Sequence, residues 1–238
     1  KGLGYGVAIS PANVIYVAGG DPDDRVYAFS LDVATGQLAA DAAHEVPLPK
    51  GTVGQGIAIS PDGKTLLVAQ ATQSQVLAYS LDAASYGQSK GAIDVGGVDA
   101  FAVRFDPNDA SSNTAYATLW TTPVQPGLAD PQRLAQIDVA GVRAATIPMG
   151  RAPEEMAFLD ARWMVVSNAL SDTLAIVDRP AAKVVADVKL GDLHGQGPSA
   201  LAYDAPRKRL YATLSSLNGV AAFDVDLSGG APSIVPAG

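Results

Sequence analysis

Adjacent carboxylates at Glu154 and Glu155, directly after Pro153, are the side chains in this sequence whose type best suits general acid–base chemistry. The ordinary alternative is that one faces solvent and the other caps a backbone amide. His194 is one of two histidines and lies in a glycine-rich stretch, where it could act as a base or a ligand; His44 is expected to be exposed near the start of an outer strand. Trp120 offers either a stacking platform for a sugar or base or packing beneath the proline-rich loop that follows it. The run Asp21-Pro22-Asp23-Asp24 has oxygen ligands for calcium but lacks EF-hand spacing, so an acidic turn is its simpler reading.

Several chemistries are disfavoured. Two separated histidines and no cysteine argue against a zinc site and exclude a cysteine nucleophile and disulfides. There is no Gly-x-Ser-x-Gly elbow and no phosphate-cradling glycine loop before a helix. We expect no metal, no cofactor and no catalytic set carried by this chain alone. The net charge of −8 leaves no basic footprint for nucleic acid, and no apolar run reaches the ~18 residues of a membrane span.

The elements that must position these residues follow from an internal repeat. Gly6-Val7-Ala8-Ile9-Ser10-Pro11 returns as Gly56-Ile57-Ala58-Ile59-Ser60-Pro61, and more loosely from Phe101, Met156 and Ala200. A second segment follows each copy, around Tyr16-Val17-Ala18, Leu67-Val68-Ala69, Tyr116-Ala117-Thr118, Val165-Val166-Ser167 and Tyr211-Ala212-Thr213, at steps of 51, 49, 49 and 46 residues. A third segment ends in Asp32, Asp82, Asp138, Asp178 or Asp224, where aspartate can bond amides further on and shape the next turn. A weaker fourth is placed at Glu45–Leu48, Gly91–Val95, Ala144–Pro148, Val184–Leu190 and Ser233–Val235. Each segment is short, apolar or alternating, and bounded by turn residues. Four strands per ~48-residue unit predict an all-β chain: a β-propeller of four-stranded antiparallel blades at about 1–50, 51–97, 98–150, 151–192 and 193–238. The 48% hydrophobic and 17% charged content suits such a packed domain.

In that architecture the loops joining strands two and three share one face with the loops joining successive blades. The inter-blade loops carry Gln55, Asp99, Arg151, Glu154, Glu155, His194 and Gln196, and the other set includes Trp120, Asp24, Gln70, Asn168, Asp172 and Asn218. These loops form the mouth of the central channel, and we expect binding there, with Gln55, Asp99, Trp120, Arg151, Glu154, Glu155, His194 and Gln196 as binding residues.

Ser60-Pro61-Asp62-Gly63-Lys64, Val165-Val166-Ser167-Asn168, Ala175-Ile176-Val177-Asp178, Gly150-Arg151-Ala152-Pro153 and Gly195-Gln196-Gly197-Pro198 resemble the repeat of the YVTN-type propellers. No Trp-Asp pair closes the third strand as in WD40 propellers. The opening Gly2-Leu3-Gly4-Tyr5-Gly6-Val7-Ala8 looks like bacterial propellers fused to, or paired with, a phosphoesterase domain of the alkaline-phosphatase type. The resemblance implies seven blades, of which five are readable, so two more would need roughly 90 residues and the chain is expected to be a fragment of a longer one. It further implies a ligand- or partner-binding scaffold, accessory to a catalytic domain, in the periplasm or outside the cell. The alternative is a propeller enzyme of the lactonase or sugar-acid hydrolase type, for which Glu154, Arg151 and His194 would have to converge on the channel.

Overall fold

The computed structural model describes residues 3–19, 24–96, 99–120, 132–191 and 195–237. Among the described residues, every regular element longer than one helical turn is a strand. The first sheet holds β1 (Leu3–Ile9), β2 (Val14–Gly19), β3 (Arg25–Asp32) and β4 (Gln37–Ala40), with a short β5 (Val46–Pro47) also on β3. The second runs β6 (Gly54–Ile59), β7 (Thr65–Gln70), β8 (Gln75–Ser80), β9 (Ser89–Asp94). The third runs β10 (Ala100–Phe105), β11 (Thr114–Leu119), β12 (Arg133–Asp138), β13 (Arg143–Pro148). The fourth is β14 (Pro153–Phe158), β15 (Trp163–Asn168), β16 (Thr173–Asp178), β17 (Lys183–Lys189), and the fifth is β18 (Pro198–Asp204), β19 (Arg209–Leu214), β20 (Gly219–Asp226), β21 (Ser233–Pro236). Each sheet is thus an antiparallel meander in chain order. No helix of the described residues is long and apolar enough to cross a membrane.

The chain divides into two compact units, Lys1–Ala117 with Ala135–Thr146, and Thr118–Leu134 with Ile147–Gly238. In the first, Tyr16, Val26 and Val46 meet Ile57, Leu66 and Leu77 in one buried cluster, so the first two sheets pack face to face. In the second, Val165, Leu174 and Ile176 meet Leu210, Phe223 and Ile234. Middle strands covered on both faces, β7 and β15, are buried at every position, which is why their sequences are apolar without alternation. The outermost strands β4 and β17 are largely exposed.

The fourth strand in the order of the first sheet lies at Gln37–Ala40, and of the expected Glu45–Leu48 only Val46–Pro47 pairs with β3. Its four residues, Gln37-Leu38-Ala39-Ala40, are all exposed and show no polar–apolar alternation. Val46 and Leu48 supply one because they are core residues, 0% and 8% exposed. The turn-shaping role expected of the strand-ending aspartates holds for three. Asp32 accepts the Ala34 amide at 2.9 Å, Asp138 the Gly141 amide at 2.9 Å, and Asp178 the Ala181 amide at 3.2 Å. In the second sheet the strand stops at Ser80, before Asp82. In the fifth it continues to Asp226, which takes over the turn by accepting the Ser228 amide at 2.9 Å, while Asp224 binds Arg209 at 2.9 Å.

Candidate functional site

Four first strands share a deviation from regular pairing. Gln55 and Gly56 of β6 lie between the paired positions Gly54↔Gln70 and Ile57↔Val68 and together oppose Ala69. Glu154 and Glu155 oppose Ser167 in the same way, and Ser199 and Ala200 oppose Thr213. In β1 the irregularity falls between Leu3 and Val7, opposite Ala18. Two residues against one is a β-bulge, which bends a strand and re-aims its side chains. Three of the expected binding residues, Gln55, Glu154 and Glu155, therefore occupy bulges, a placement that residue types alone do not announce.

A bulge frees backbone groups from the ladder, and these must find other partners. In the fourth sheet the amide of Glu155 donates to the Ser167 hydroxyl at 3.0 Å, and that hydroxyl donates to the Ser199 carbonyl at 2.6 Å. The Glu154 carbonyl accepts the Thr118 hydroxyl at 2.8 Å. In the fifth sheet the amide of Ala200 donates to Thr213 Oγ1 at 2.9 Å. The first two sheets use glycine instead. A Cβ on Gly56 would stand 2.6 Å from the Phe101 carbonyl oxygen and 2.8 Å from Ala102 Cα, so neighbouring first strands approach too closely for any side chain there.

A second device fixes the ends of the sheets at which the inter-blade loops begin. Because the strands alternate in direction, the turn from strand two to strand three lies at the end where strand four leaves. The residue just before each of four third strands lends its carbonyl to the departing chain. Asp24 accepts Leu48 N at 2.8 Å, Ser74 accepts Val95 N at 2.9 Å, Gln132 accepts Met149 N at 2.8 Å, and Asp172 accepts Leu190 N at 3.2 Å. Three of these residues also reach into the next loop with a side-chain oxygen. Asp24 accepts Gly51 N at 2.8 Å and Gln132 accepts Ala152 N at 2.5 Å. Asp172 accepts Gly195 N, Gln196 N and Gly197 N at 2.7, 2.7 and 3.0 Å. Asp24 and Asp172 adopt positive φ, 42° and 53°, tolerable for aspartate and disfavoured for most residues.

The expected site residues distribute as follows. Gln55 and Asp99 belong to the first unit, both half-buried. Asp99 has φ 57° immediately before β10, as Ala152 (52°) and Gly197 (59°) have before β14 and β18. In the second unit, Trp120 is half-buried at the end of β11. Arg151 has an exposed side chain, and its amide donates to Ser171 Oγ at 2.7 Å. Glu155 turns its carboxylate back to the Met156 amide at 2.9 Å, a backbone cap. Gln196 is 7% exposed within the loop that Asp172 holds. His194, Asp21, Asp23 and the loop after Trp120 up to residue 131 lie outside the described residues. Ser167, Ser199, Thr213 and Gln132, which the sequence reading did not put forward as site residues, do the positioning.

Of the expected binding residues, two carry carboxyls pushed above their ordinary range. Burial raises Glu154, and a hydrogen bond with Ser199 partly opposes it; burial alone raises Asp99. A half-buried glutamic acid on a bulge can exchange a proton or accept a hydrogen bond. Among the described residues no three His, Cys, Asp or Glu side chains are grouped to hold a metal ion.

No protein-family model matches this sequence, and no curated protein matches it. Solved structures do match in shape. Virginiamycin B lyase from Staphylococcus aureus is 12% identical with a TM-score of 0.72, covering 99% of this chain and 69% of that one. Hydrazine synthase of Kuenenia stuttgartiensis is 21% identical with a TM-score of 0.70 over 92% of this chain; the match spans 64% of that chain. The β-propeller domain of Myceliophteria thermophila Cps50 (Swd1) is 13% identical with a TM-score of 0.69, covering 99% and 70%. At these identities the likeness carries the fold alone. Five four-stranded antiparallel sheets and this set of neighbours make the chain a β-propeller.

Proposed function

We propose that this chain is a non-catalytic binding propeller of the YVTN type, exported to the periplasm or beyond, whose inter-blade loops receive a ligand or a partner domain. The observation that carries the reading is the clasp made by Asp24, Gln132 and Asp172. Polar side chains that could have served chemistry are spent on holding loop backbone. A binding face gains from such order, because loops already fixed lose little entropy when a partner arrives. Glu155 fits the same pattern, its carboxylate engaged with a neighbouring amide. The partner suggested by the repeat's resemblance is a phosphoesterase domain of the alkaline-phosphatase type; nucleic acid is disfavoured by the charge of −8.

The test is a calorimetric titration of the chain with such a phosphoesterase domain from the same genome. Saturable binding that Trp120→Ala and Glu155→Ala weaken supports the reading. Absence of binding, or binding indifferent to both changes, refutes it for this partner and face.

One observation favours a second reading. The half-buried Glu154, whose carboxyl burial pushes above its ordinary range, has the character of a general acid, as a lactonase-type enzyme would need. Hydrolysis of a lactone panel, with Glu154→Gln as control, decides between the two.

A further inference from the structure

A cavity of about 290 Å³ opens in the first unit at the opposite end of the strands from the clasps, lined among others by Ser10, Tyr16, His44, Asp62, Leu81 and Tyr86. Ser10 and Asp62 belong to the turns from strand one to strand two of the first and second sheets, and Tyr86 to the turn from β8 to β9. His44 ends the one-turn helix Ala42–His44 after β4. This place is distinct from the loop face considered above, and nothing in the function proposed there uses it.

Its walls are held by a chain of hydrogen bonds. The Tyr86 hydroxyl donates to the His44 carbonyl at 2.7 Å and so accepts from Tyr16, 2.8 Å away. Both phenols are thereby committed, and burial pushes both above their ordinary range, so they stay neutral. The His44 ring meets Tyr86 edge to face at 5.2 Å. His44 Nδ1 lies 2.8 Å from Asp41 Oδ2, which also accepts the Ser30 hydroxyl at 2.7 Å. These two bonds hold the Asp41 carboxyl below its usual range, with the Ser30 hydroxyl the larger influence. In the tautomer whose Nδ1 donates its proton to the Asp41 carboxylate, Nε2 is a hydrogen-bond acceptor, and among the described residues no hydrogen bond engages it.

The other polar side chains of the cavity are Ser10 and Asp62. Ser10 Oγ accepts the Val14 amide at 3.1 Å and keeps its own proton to donate. Burial opposes ionisation of Asp62, but the Ser60 hydroxyl, the Lys64 amide and the charges of Lys64 and Lys90 outweigh it and hold the carboxyl below its usual range. Asp62 Oδ1 takes both of those hydrogen bonds, at 2.5 and 3.1 Å. The charges of Lys64 and Lys90 already favour that carboxylate, so a neutral hydroxyl donor can meet it without a cation. The cavity's lining combines hydrogen-bonding groups with aromatic and aliphatic surface. The complementary molecule is neutral, rich in hydroxyl donors, with an apolar face to lie on a tyrosine ring. The volume sits at the lower end of small-molecule pockets, ~300–1,000 Å³, and suits a single ring.

We propose that this cavity is a second binding site, for a neutral polyol of monosaccharide size, with His44 Nε2 and the Asp62 carboxylate accepting ligand hydroxyls and Tyr16 and Tyr86 supplying the apolar wall. The probes are methyl pyranosides of the common hexoses, with cyclohexanol and tetramethylammonium as contrasts. The readout is the imidazole nitrogen resonances of His44, one of two histidines. A pyranoside shifts the His44 Nε2 resonance saturably, the contrasts do not, and His44→Phe and Asp62→Asn, each checked for native dichroism and melting, weaken binding about fivefold or more. The binding of the His44→Phe protein is read from the Tyr86 ring signals. No saturable shift with any pyranoside, a shift with tetramethylammonium or cyclohexanol instead, or unchanged affinity in both folded variants overturns the proposal.

Discussion

The Ser167 hydroxyl accepts the amide of Glu155 at 3.0 Å, closing the gap that the bulge opens between β14 and β15. The same relationship joins Thr213 to Ala200. Along the repeat, residues at the bulge and opposite it go together. Gly6 and Gly56 face Ala18 and Ala69, whereas Glu155 and Ala200 face Ser167 and Thr213. Where the neighbouring first strand approaches closely, glycine makes room; where a side chain stands at the bulge, a hydroxyl takes up the freed amide.

Ser167→Ala should cost about 1–3 kcal/mol, since it removes the hydroxyl that the half-buried Glu155 amide and the Ser199 carbonyl both bond. Urea unfolding measures it directly. A loss below a few tenths of a kcal/mol would mean the bulge does not depend on this hydroxyl.

Gly56→Ala should be worse than its single added methyl suggests, about 3 kcal/mol, because the new Cβ meets backbone rather than a side chain that can turn away. Gly36→Ala serves as the contrast: φ there is 72°, and no atom lies within 4 Å of the added carbon, so its cost is conformational only. Similar melting losses in the two variants would contradict the close-approach explanation.

Asp172→Ala removes the acceptor of three loop amides. Hydrogen exchange of Gly195, Gln196 and Gly197 should then accelerate on the order of tenfold or more, while amides within β15 and β16 keep their protection. Uniform acceleration across the sheet would show that Asp172 supports the blade rather than the loop.

Glu154 gives a pH test. Its carboxyl is raised in the folded state, so the native protein holds its proton at a pH where the unfolded chain has released it. The wild type therefore loses stability as pH rises from below the ordinary value of 4.5 through the raised one. Glu154→Gln should be the more stable protein at neutral pH and lose that advantage in acid, as read from melting temperatures across pH. An advantage for wild type at neutral pH would show that the carboxylate is stabilised rather than strained.

Much of the architecture was legible because middle strands must be apolar on both faces. Leu67-Val68-Ala69 and Val165-Val166-Ser167 could hardly be anything else, and their spacing marked the repeat. Outer strands such as Gln37–Ala40 were not, since an exposed edge needs backbone partners and tolerates almost any side chain. The bulges were hidden for a related reason: register is a backbone property, and Glu154-Glu155 reads alike in or out of a bulge. Asp172 was visible as a loop carboxylate, but its three partners are amides, which every non-proline residue carries, so composition could not separate a clasp from a ligand.

The central claim is that the loop face binds and does not catalyse, and steady-state hydrolysis of a lactone panel by wild type and Glu154→Gln tests it most directly. The account predicts rates for both proteins that equal the buffer rate. Turnover by wild type that Glu154→Gln abolishes, with the variant still folded, would contradict it.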